Sequence, residues 1–139
     1  MTDGDHYASY ADVQKALMDA NIGVDGGTLY DDEALEYALD TSMDEIHMEL
    51  DFRTTKVTAA PIANVLRKIQ VETVFQMILT ARHINQNNLV DAGSIQGFWQ
   101  VTPSFTREQM RKLRKINSYL RGNNNVFLYS SHTGDQISF

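Results

Sequence analysis

Apolar residues recur at the three- and four-residue spacings of an α-helix in four separate stretches of the chain. The first predicted helix runs from about Tyr10 to Ala20, with Ser9 placed as its N-cap and Asp12 as the acid of a capping box. Its apolar stripe consists of Val13, Ala16, Leu17 and Ala20. A stretch rich in Gly and Asp at residues 23–27 then predicts a turn.

The second predicted helix has a polar face that is almost entirely acidic. It begins at the carboxylates of residues 31–33, which favour the positive end of the helix dipole. Its apolar face consists of Leu35, Leu39, Ser42, Ile46 and Leu50, and the opposite face carries Glu36, Asp40, Asp44, Glu45 and Glu49. Like charges four residues apart destabilise a helix by roughly 0.2–0.5 kcal/mol per pair. Tertiary packing or a basic partner must therefore offset this repulsion.

The third predicted helix is the longest, and its middle is apolar nearly all round. Pro61 stands where a helix favours proline, and the helix continues from Ile62 to about Asn85. One stripe contains Ile62, Val65, Leu66, Ile69, Thr73, Gln76, Met77, Thr80 and Ile84, and it is widened by Val74, Phe75, Ile78 and Leu79. Such a helix is central in its domain or buried between subunits, which favours an oligomer. Glu72 is a candidate buried acid here, although one carboxylate is not a mechanism.

Residues 86–105 form a predicted loop or short hairpin that carries the single Trp of the chain. Loops of this length are usually functional, so Phe98 and Trp99 are candidate partner contacts. The alternative is that these aromatic side chains pack back onto the core.

The fourth predicted helix starts after Ser104 or Thr106 and ends at Gly122, a residue common at helix C-termini. Its apolar stripe consists of Met110, Leu113, Ile116 and Leu120. Residues 123–139 form a predicted extended tail, whose apolar positions are Val126, Phe127, Leu128, Tyr129 and Phe139. An isolated strand leaves its backbone groups unpaired, so this tail is either disordered or added to a partner's sheet edge. We favour the second.

These elements predict a mainly α fold class: a small four-helix bundle with one long central helix, a long loop after it and an extended C-terminal tail. The 139 residues fit one helical domain, residues 1–122 with an 86–105 insertion, followed by the tail at 123–139. The absence of Cys excludes disulfides and thiolate metal ligands. No apolar run approaches the roughly 20 residues of a membrane span, and the acidic residues 1–5 are unlike a secretory signal. We therefore expect synthesis in the cytoplasm and no membrane association.

Charge is divided unevenly between the two ends of the chain. Residues 1–51 hold fourteen carboxylates and one cation, Lys15, for a net charge of −13, whereas residues 52–139 hold eleven Lys or Arg and four carboxylates, for +7. Complementary halves of this kind can neutralise each other within one fold or meet between copies of the chain. A basic end can also contact nucleic acid.

Signals for catalysis and metal binding are weak. His47 shares a helical face with Asp44, but two ligands make a weak metal site. No nucleophile elbow, phosphate-binding loop or zinc-protease motif is present. We expect no enzymatic activity and no cofactor. A small helical metalloenzyme using His47 or His83 is a rival interpretation.

The fourth helix carries the one nucleic-acid signal. Candidate contacts to phosphates or to an acidic partner are Arg107, Arg111, Arg114 and Lys115. Tyr119 is placed to stack a base. The overall net charge of −6 argues against DNA binding, as does the apolar stripe on the same helix. A DNA-binding regulatory domain built on residues 107–121 is the alternative function.

Four short motifs occur in a defined order along the chain. They are the opening Tyr7–Val13, which reads Tyr-Ala-Ser-Tyr-Ala-Asp-Val, the acidic helix at 32–46, the Pro-initiated Pro61–Leu66, and the closing Ile116–Gly122. In this order they resemble the head–tail connector proteins of tailed viruses, also called adaptor or head-completion proteins.

The resemblance implies a helical virion protein that forms a ring, usually twelvefold, beneath the portal protein at the capsid vertex. The ring would extend the DNA channel, let genomic DNA pass without sequence readout and dock the next tail component. It would be located in the neck between capsid and tail. On this reading the C-terminal tail contacts the portal or a neighbouring subunit through Val126, Phe127, Leu128, Tyr129 and Phe139, with Phe98 and Trp99 as a second surface.

Overall fold

A computed structural model describes residues 5–20, 32–91 and 94–124 of the chain. Within these ranges the chain forms five helices and no strand. The helices are α1 (Tyr10–Asp19), α2 (Asp32–Glu49), α3 (Ala60–Asn87), α4 (Ile95–Phe98) and α5 (Arg107–Asn124). The predicted mainly α class is therefore confirmed.

Two of the helices begin with a reciprocal side-chain cap. At α1 the Ser9 hydroxyl accepts from the Asp12 N–H at 3.1 Å, and the Asp12 carboxylate accepts from the Ser9 N–H at 3.0 Å. At α5 the Thr106 hydroxyl accepts from the Gln109 N–H at 3.1 Å, and the Gln109 amide oxygen accepts from the Thr106 N–H at 2.9 Å. Each cap satisfies two N–H groups that a helix start leaves open. Of the two predicted caps for α5, Thr106 is the one used.

The hydrophobic core consists of two clusters along α2 and α3. The first cluster contains Ala8, Val13, Leu17, Ala34, Leu35, Ala38, Leu39, Val74, Met77, Ile78, Ala81 and Phe98. The second cluster contains Tyr7, Met43, Ile46, Leu50, Val57, Ile62, Leu66, Ile69, Leu113 and Ile116. The start of α2 thus packs on the end of α3, and the end of α2 packs on the start of α3. These two helices therefore run antiparallel. The 28-residue α3 spans about 42 Å and contacts α1, α2 and α4.

A buried glutamine lies where the two clusters meet. The Gln70 amide oxygen accepts from the Ala8 N–H at 2.8 Å, and its amide nitrogen donates to the Leu39 carbonyl at 3.0 Å and the Ser42 hydroxyl at 3.1 Å. Ser42 in turn donates to the Leu39 carbonyl at 3.0 Å. These bonds explain why a serine occupies the apolar face of α2, and they fix α3 against α2 and the N-terminal segment.

The helices differ from their predicted form at four places. Ala20, predicted on the apolar stripe of the first helix, is the exposed C-cap of α1. Gln76 and Thr80, predicted on the apolar stripe of α3, are exposed because the buried arc runs through Val74, Met77, Ile78 and Ala81. Helix α5 continues through Gly122 to Asn124, so Gly122 is not a C-cap. The 86–105 stretch contains the single helical turn α4 within its described residues rather than a hairpin.

Candidate interaction surfaces

Five of the residues predicted as partner contacts lie outside the described residues: Val126, Phe127, Leu128, Tyr129 and Phe139.

Phe98 and Trp99, predicted together as a contact surface, are separated by the fold. Gly97 packs so closely on α3 that an added Cβ would lie 2.5 Å from the Ala81 carbonyl oxygen. This close docking of α4 buries Phe98 completely in the first cluster, which corrects its prediction as an accessible contact. Trp99 remains 60% exposed just after the same turn. The core-packing alternative therefore holds for Phe98, and only Trp99 is accessible to a partner.

The arginines of α5 form a stripe opposite its buried face. Leu113 and Ile116 are fully buried, and all four arginines of the helix are exposed: Arg107, Arg111, Arg114 and Arg121. Their spacings of four, three and seven residues place them on one face, called here the arginine stripe. Lys115 is half-buried beside the stripe. Three of the four cations predicted as phosphate or acidic-partner contacts thus share one exposed face.

Two of the stripe arginines are already paired with carboxylates. Arg111 bonds Glu108 through Nε and Oε2 at 3.0 Å, and this hydrogen bond lowers the pKa of Glu108. Arg121 bonds Asp51 through Nη2 and Oδ1 at 2.6 Å, and likewise lowers the pKa of Asp51. Exposed pairs of this kind contribute little to stability. Within the described ranges, Arg107 and Arg114 form no ion pair, so the stripe keeps positive charge for an acidic partner.

Helix α2 carries the opposite charge over the same length. Like α5 it has 18 residues, and it holds seven carboxylates with no Lys or Arg. Glu33 and Asp44 are exposed, whereas Asp40 accepts a hydrogen bond from the N-terminal segment. Much of the charge division along the sequence therefore falls on an acidic helix and a basic helix, and these two helices contact each other in the fold.

His47 lies in a buried hydrogen-bonded contact with the N-terminal segment. The Tyr7 hydroxyl accepts from the Val57 N–H at 2.9 Å, which leaves its own proton for His47 Nε2 at 2.7 Å. Burial lowers the pKa of His47, the positive charge of Arg53 lowers it further, and Asp44 acts in the opposite direction. The same burial raises the pKa of Tyr7. This geometry favours neutral His47 with Nε2 as an acceptor.

The other candidate catalytic residues have separate surroundings. His83 is exposed and lies 3.3 Å from the Asn87 amide through Nε2. Glu72 is exposed and accepts from Gln109 Nε2 at 3.0 Å, which corrects its prediction as a buried acid. The described part of the chain contains no group of three or more His, Asp or Glu side chains that could hold a metal ion.

A strained turn after α2 was not predicted from the sequence. Asp51 and Phe52 have φ values of 60° and 55°, a left-handed conformation that bulky residues rarely adopt. Phe52 is nevertheless 74% exposed. Gly or Asn normally occupies a left-handed position, and neither occurs at residues 51–53. The sequence pattern therefore does not predict this turn. Residues 51–53 are called the Phe52 turn below.

A shallow groove of about 340 Å³ lies between α1 and α3. It is lined by Asp12, Lys15, Ala16, Asp19, Arg67, Lys68 and Val71. Ala16 and Val71 are its half-buried apolar residues, and its three cations are exposed. Lys15, the single cation of the acidic half of the sequence, lies beside two α3 cations, Arg67 and Lys68, in this groove, which is called here the α1–α3 groove.

No protein family, curated protein or solved structure was found to match this chain. Among the helices of the described ranges, none combines the length and apolar character needed to cross a bilayer.

Proposed function

We propose that the protein is a structural virion protein, a head–tail connector or adaptor that forms a ring below the portal. The ring, a dodecamer by resemblance, extends the DNA channel and docks the next tail component. Its partners are other copies of itself, the portal protein and that tail component, while genomic DNA passes through without sequence readout. The protein uses no cofactor, catalyses no reaction and resides in the neck of the virion.

The observation that carries this proposal is the separation of opposite charges onto two helices of equal length. A closed ring needs two different, complementary surfaces on every copy. The acidic α2 and the arginine stripe of α5 supply such a pair, and complementary charge fixes the orientation in which copies meet.

The residues that carry the family resemblance also have physical roles in this fold, which supports the proposal. In the opening motif, Tyr7 is buried against His47, Asp12 closes the capping box of α1, and Val13 is fully buried. We interpret α1, α2, α3 and α5 as a four-helix bundle with α3 as its long central helix and α4 within the insertion. Portal or neighbour contact is assigned to Trp99 and to the tail residues Val126, Phe127, Leu128, Tyr129 and Phe139.

The first experiment is the mass of the purified protein in solution, measured by light scattering alone and with the portal protein of the same virus. The full chain is compared with a variant that ends at residue 124. We expect a ring, or a monomer that forms a ring on the portal, and loss of portal capture in the shorter variant. A protein that stays monomeric under both conditions and does not bind the portal overturns the proposal.

The arginine stripe favours one second candidate, a DNA-binding domain that uses residues 107–121. Its test is a mobility shift of duplex DNA at increasing salt, because each phosphate contact contributes a slope of about −0.9 in log K against log salt. DNA binding predicts a steep salt dependence that is lost in the triple variant Arg111→Glu, Arg114→Glu, Lys115→Glu. Binding that is absent at low salt, or unchanged in this variant, excludes the candidate.

A further inference from the structure

We propose that residues 5–8 form an acid-released strap: they lie docked on α2 and α3 while His47 is neutral, and protonation of His47 releases them while the helices stay folded. These residues are called here the N-terminal strap. A local opening of this kind requires a segment held by individual contacts, a titrating group at one contact and a core that does not depend on the segment. The device acts within one chain, so it goes beyond the connector proposal and does not depend on it.

Three successive residues of the N-terminal strap are each bonded to the part of the fold that contains α2 and α3. His6 Nε2 lies 2.6 Å from a carboxylate oxygen of Asp40 on α2. The Ala8 N–H donates to the Gln70 amide oxygen on α3 at 2.8 Å. Between them, the Tyr7 hydroxyl bonds both to α2 and to the loop that follows it. The docked position therefore depends on individual hydrogen bonds to α2, α3 and this loop.

The Tyr7 contact is the one that protonation of His47 disrupts. The Tyr7 hydroxyl donates its single proton to His47 Nε2 at 2.7 Å, and its oxygen accepts from the Val57 N–H at 2.9 Å. Protonation places a hydrogen on Nε2, so the ring no longer accepts and the hydroxyl proton loses its acceptor. Because Tyr7 and His47 are both buried, water does not replace the lost bond while the strap is docked. Release of the strap returns both groups to water.

The charges around this contact also disfavour a protonated ring. Burial lowers the pKa of His47, Arg53 in the loop after α2 lowers it further, and Asp44, one turn earlier on α2, acts in the opposite direction. Lys56 of the same loop has its Nζ 5.8 Å from the centre of the Tyr7 ring. A positive charge on His47 therefore meets two nearby cations and one carboxylate.

His6 adds a cost to the docked position that release of the strap removes. Its side chain is fully buried, and its Nδ1 has no hydrogen-bond partner among the described residues. An ionised Asp40 only accepts, so Nε2 carries a proton and Nδ1 of the neutral ring is a buried acceptor without a donor. On a charged ring the same atom is a buried donor without an acceptor. Either form favours exposure to water, which lowers what protonation of His47 has to supply.

The helices keep their own contacts when the strap leaves. Val13 and Leu17 are fully buried and hold α1 in the first cluster. Helix α5 is joined to the end of α2 by the Arg121–Asp51 pair, which carries no net charge and so does not offset a charge on His47. Release of residues 5–8 therefore leaves a folded core, and the opening is local.

Hydrogen exchange of backbone amides tests the strap on the full chain at pH 7.5 and pH 5. Mass spectrometry with electron-transfer fragmentation resolves single residues. The Ala8 and Val57 amides report on the strap, because each bonds across its contact with the fold. We expect the protection of these two amides, the factor by which the fold slows exchange, to fall by about three- to thirtyfold at pH 5. The upper limit is the full effect of a group whose pKa is about 6.5 when it is released.

Dilute urea distinguishes release of the strap from unfolding of the whole chain. Global unfolding exposes much surface and responds strongly to urea, whereas a local opening responds little. The amides of Ile78 in α3 and Leu113 in α5, both residues fully buried, report on the core. We expect their exchange to accelerate in urea while that of Ala8 and Val57 does not. If all four amides respond alike, residues 5–8 open only when the whole protein unfolds, and the strap inference is wrong.

Two glutamine variants identify the histidine that triggers release. His47→Gln keeps an acceptor for the Tyr7 hydroxyl and removes the titration, so we expect equal protection of Ala8 at both pH values. His6→Gln is the matched control, because it keeps a donor for Asp40 and leaves His47 in place, so we expect the pH response to remain. A response that persists in His47→Gln, or that disappears in His6→Gln, overturns His47 as the trigger.

A measurement on the unmodified protein applies even if a variant does not fold. Slow deuterium exchange at the His47 ring carbon Cε1, measured on the same samples, reports the fraction of protonated His47. We expect exchange of the Ala8 amide to accelerate over the pH range in which this ring becomes protonated. Acceleration without protonation of His47, or protonation without acceleration, contradicts the proposal.

Discussion

At the scale of single residues, the Tyr7 hydroxyl connects three segments that are distant in sequence. It accepts from the Val57 N–H and donates to His47 Nε2, while its ring belongs to the second cluster. Replacing Tyr7 by Phe keeps the ring and leaves a buried N–H and a buried ring nitrogen without this partner. Since an unsatisfied buried polar group costs about 1–3 kcal/mol, we expect Tyr7→Phe to lower the free energy of unfolding by about that amount.

Urea denaturation followed by circular dichroism measures this difference. Tyr119→Phe is the matched control, because Tyr119 is 39% exposed and its hydroxyl can bond to water. Equal free energies of unfolding for the two variants would show that the buried contact adds nothing to stability.

His47 gives the fold a pH dependence whose sign follows from its surroundings. Burial and Arg53 lower its pKa below the value of about 6.5 expected in the unfolded chain. The unfolded state therefore binds the proton first as the pH falls. Stability from this residue is full above about pH 6.5 and is lost as the pH falls through the lower pKa of the folded state.

The measurement is the free energy of unfolding at pH 7.5 and at pH 5. Wild type is compared with His47→Gln, which keeps an acceptor for Tyr7 and removes the titration. We expect wild type to lose more stability than the variant between these pH values. The carboxylates with lowered pKa, Asp51 and Glu108, lose their contribution as the pH falls from their ordinary pKa values of 3.8 and 4.5, and both proteins contain them, so their effect cancels in this comparison. An equal loss of unfolding free energy in both proteins would show that His47 does not cause this pH dependence.

At the scale of elements, two glycines report on two different effects. Gly97 reports on close packing between helices, and Gly122 reports on helix propensity. An added Cβ at Gly97 would lie 2.5 Å from the Ala81 carbonyl, whereas at Gly122 nothing lies within 4 Å. We expect Gly97→Ala to destabilise the protein by about 1–3 kcal/mol through overpacking of α4 on α3. We expect Gly122→Ala to stabilise it by about 0.5–1 kcal/mol, since α5 is helical at this position. Thermal unfolding of both variants measures the two shifts, and destabilisation by Gly122→Ala would favour the C-cap predicted from the sequence.

The sequence predicts helices well where periodicity is strong and fails where a tertiary contact decides. The stripes of α1, α2 and α5 are visible because one face of each is buried. The arc of α3 is ambiguous, because a helix that packs against several elements is apolar on most sides, and Gln76 and Thr80 were placed wrongly for this reason. Phe98 could not be assigned from its neighbours in sequence, since its burial depends on the contact of Gly97 with Ala81.

At the scale of the whole molecule, the sequence shows the division of charge. It does not show which charged side chains share a surface. The cations of residues 107–121 were predicted as contacts, and the fold adds that Arg107, Arg111 and Arg114 share one exposed face with Arg121. The Phe52 turn and the α1–α3 groove combine residues that no periodic pattern links. Lys15 and Arg67, for example, are far apart in sequence and line one groove.

The end of α5 at Asn124 is the expected boundary between the folded domain and the tail. The described core clusters draw on residues from Tyr7 to Ile116, with Leu120 packed against the second cluster and Arg121 bonded to Asp51. A chain that ends at residue 124 is therefore expected to keep the urea midpoint of the full protein.

A chain that ends at residue 118 is the control for this truncation. It loses the packing of Leu120 and the Arg121–Asp51 pair, and burial of a large aliphatic side chain contributes about 1.5–3 kcal/mol when complete. Because Leu120 is only partly buried, we expect the free energy of unfolding to fall by less than this range, and the urea midpoint to fall with it. If ending the chain at residue 124 lowers the midpoint as much, residues 125–139 are part of the folded domain rather than a tail that serves a partner.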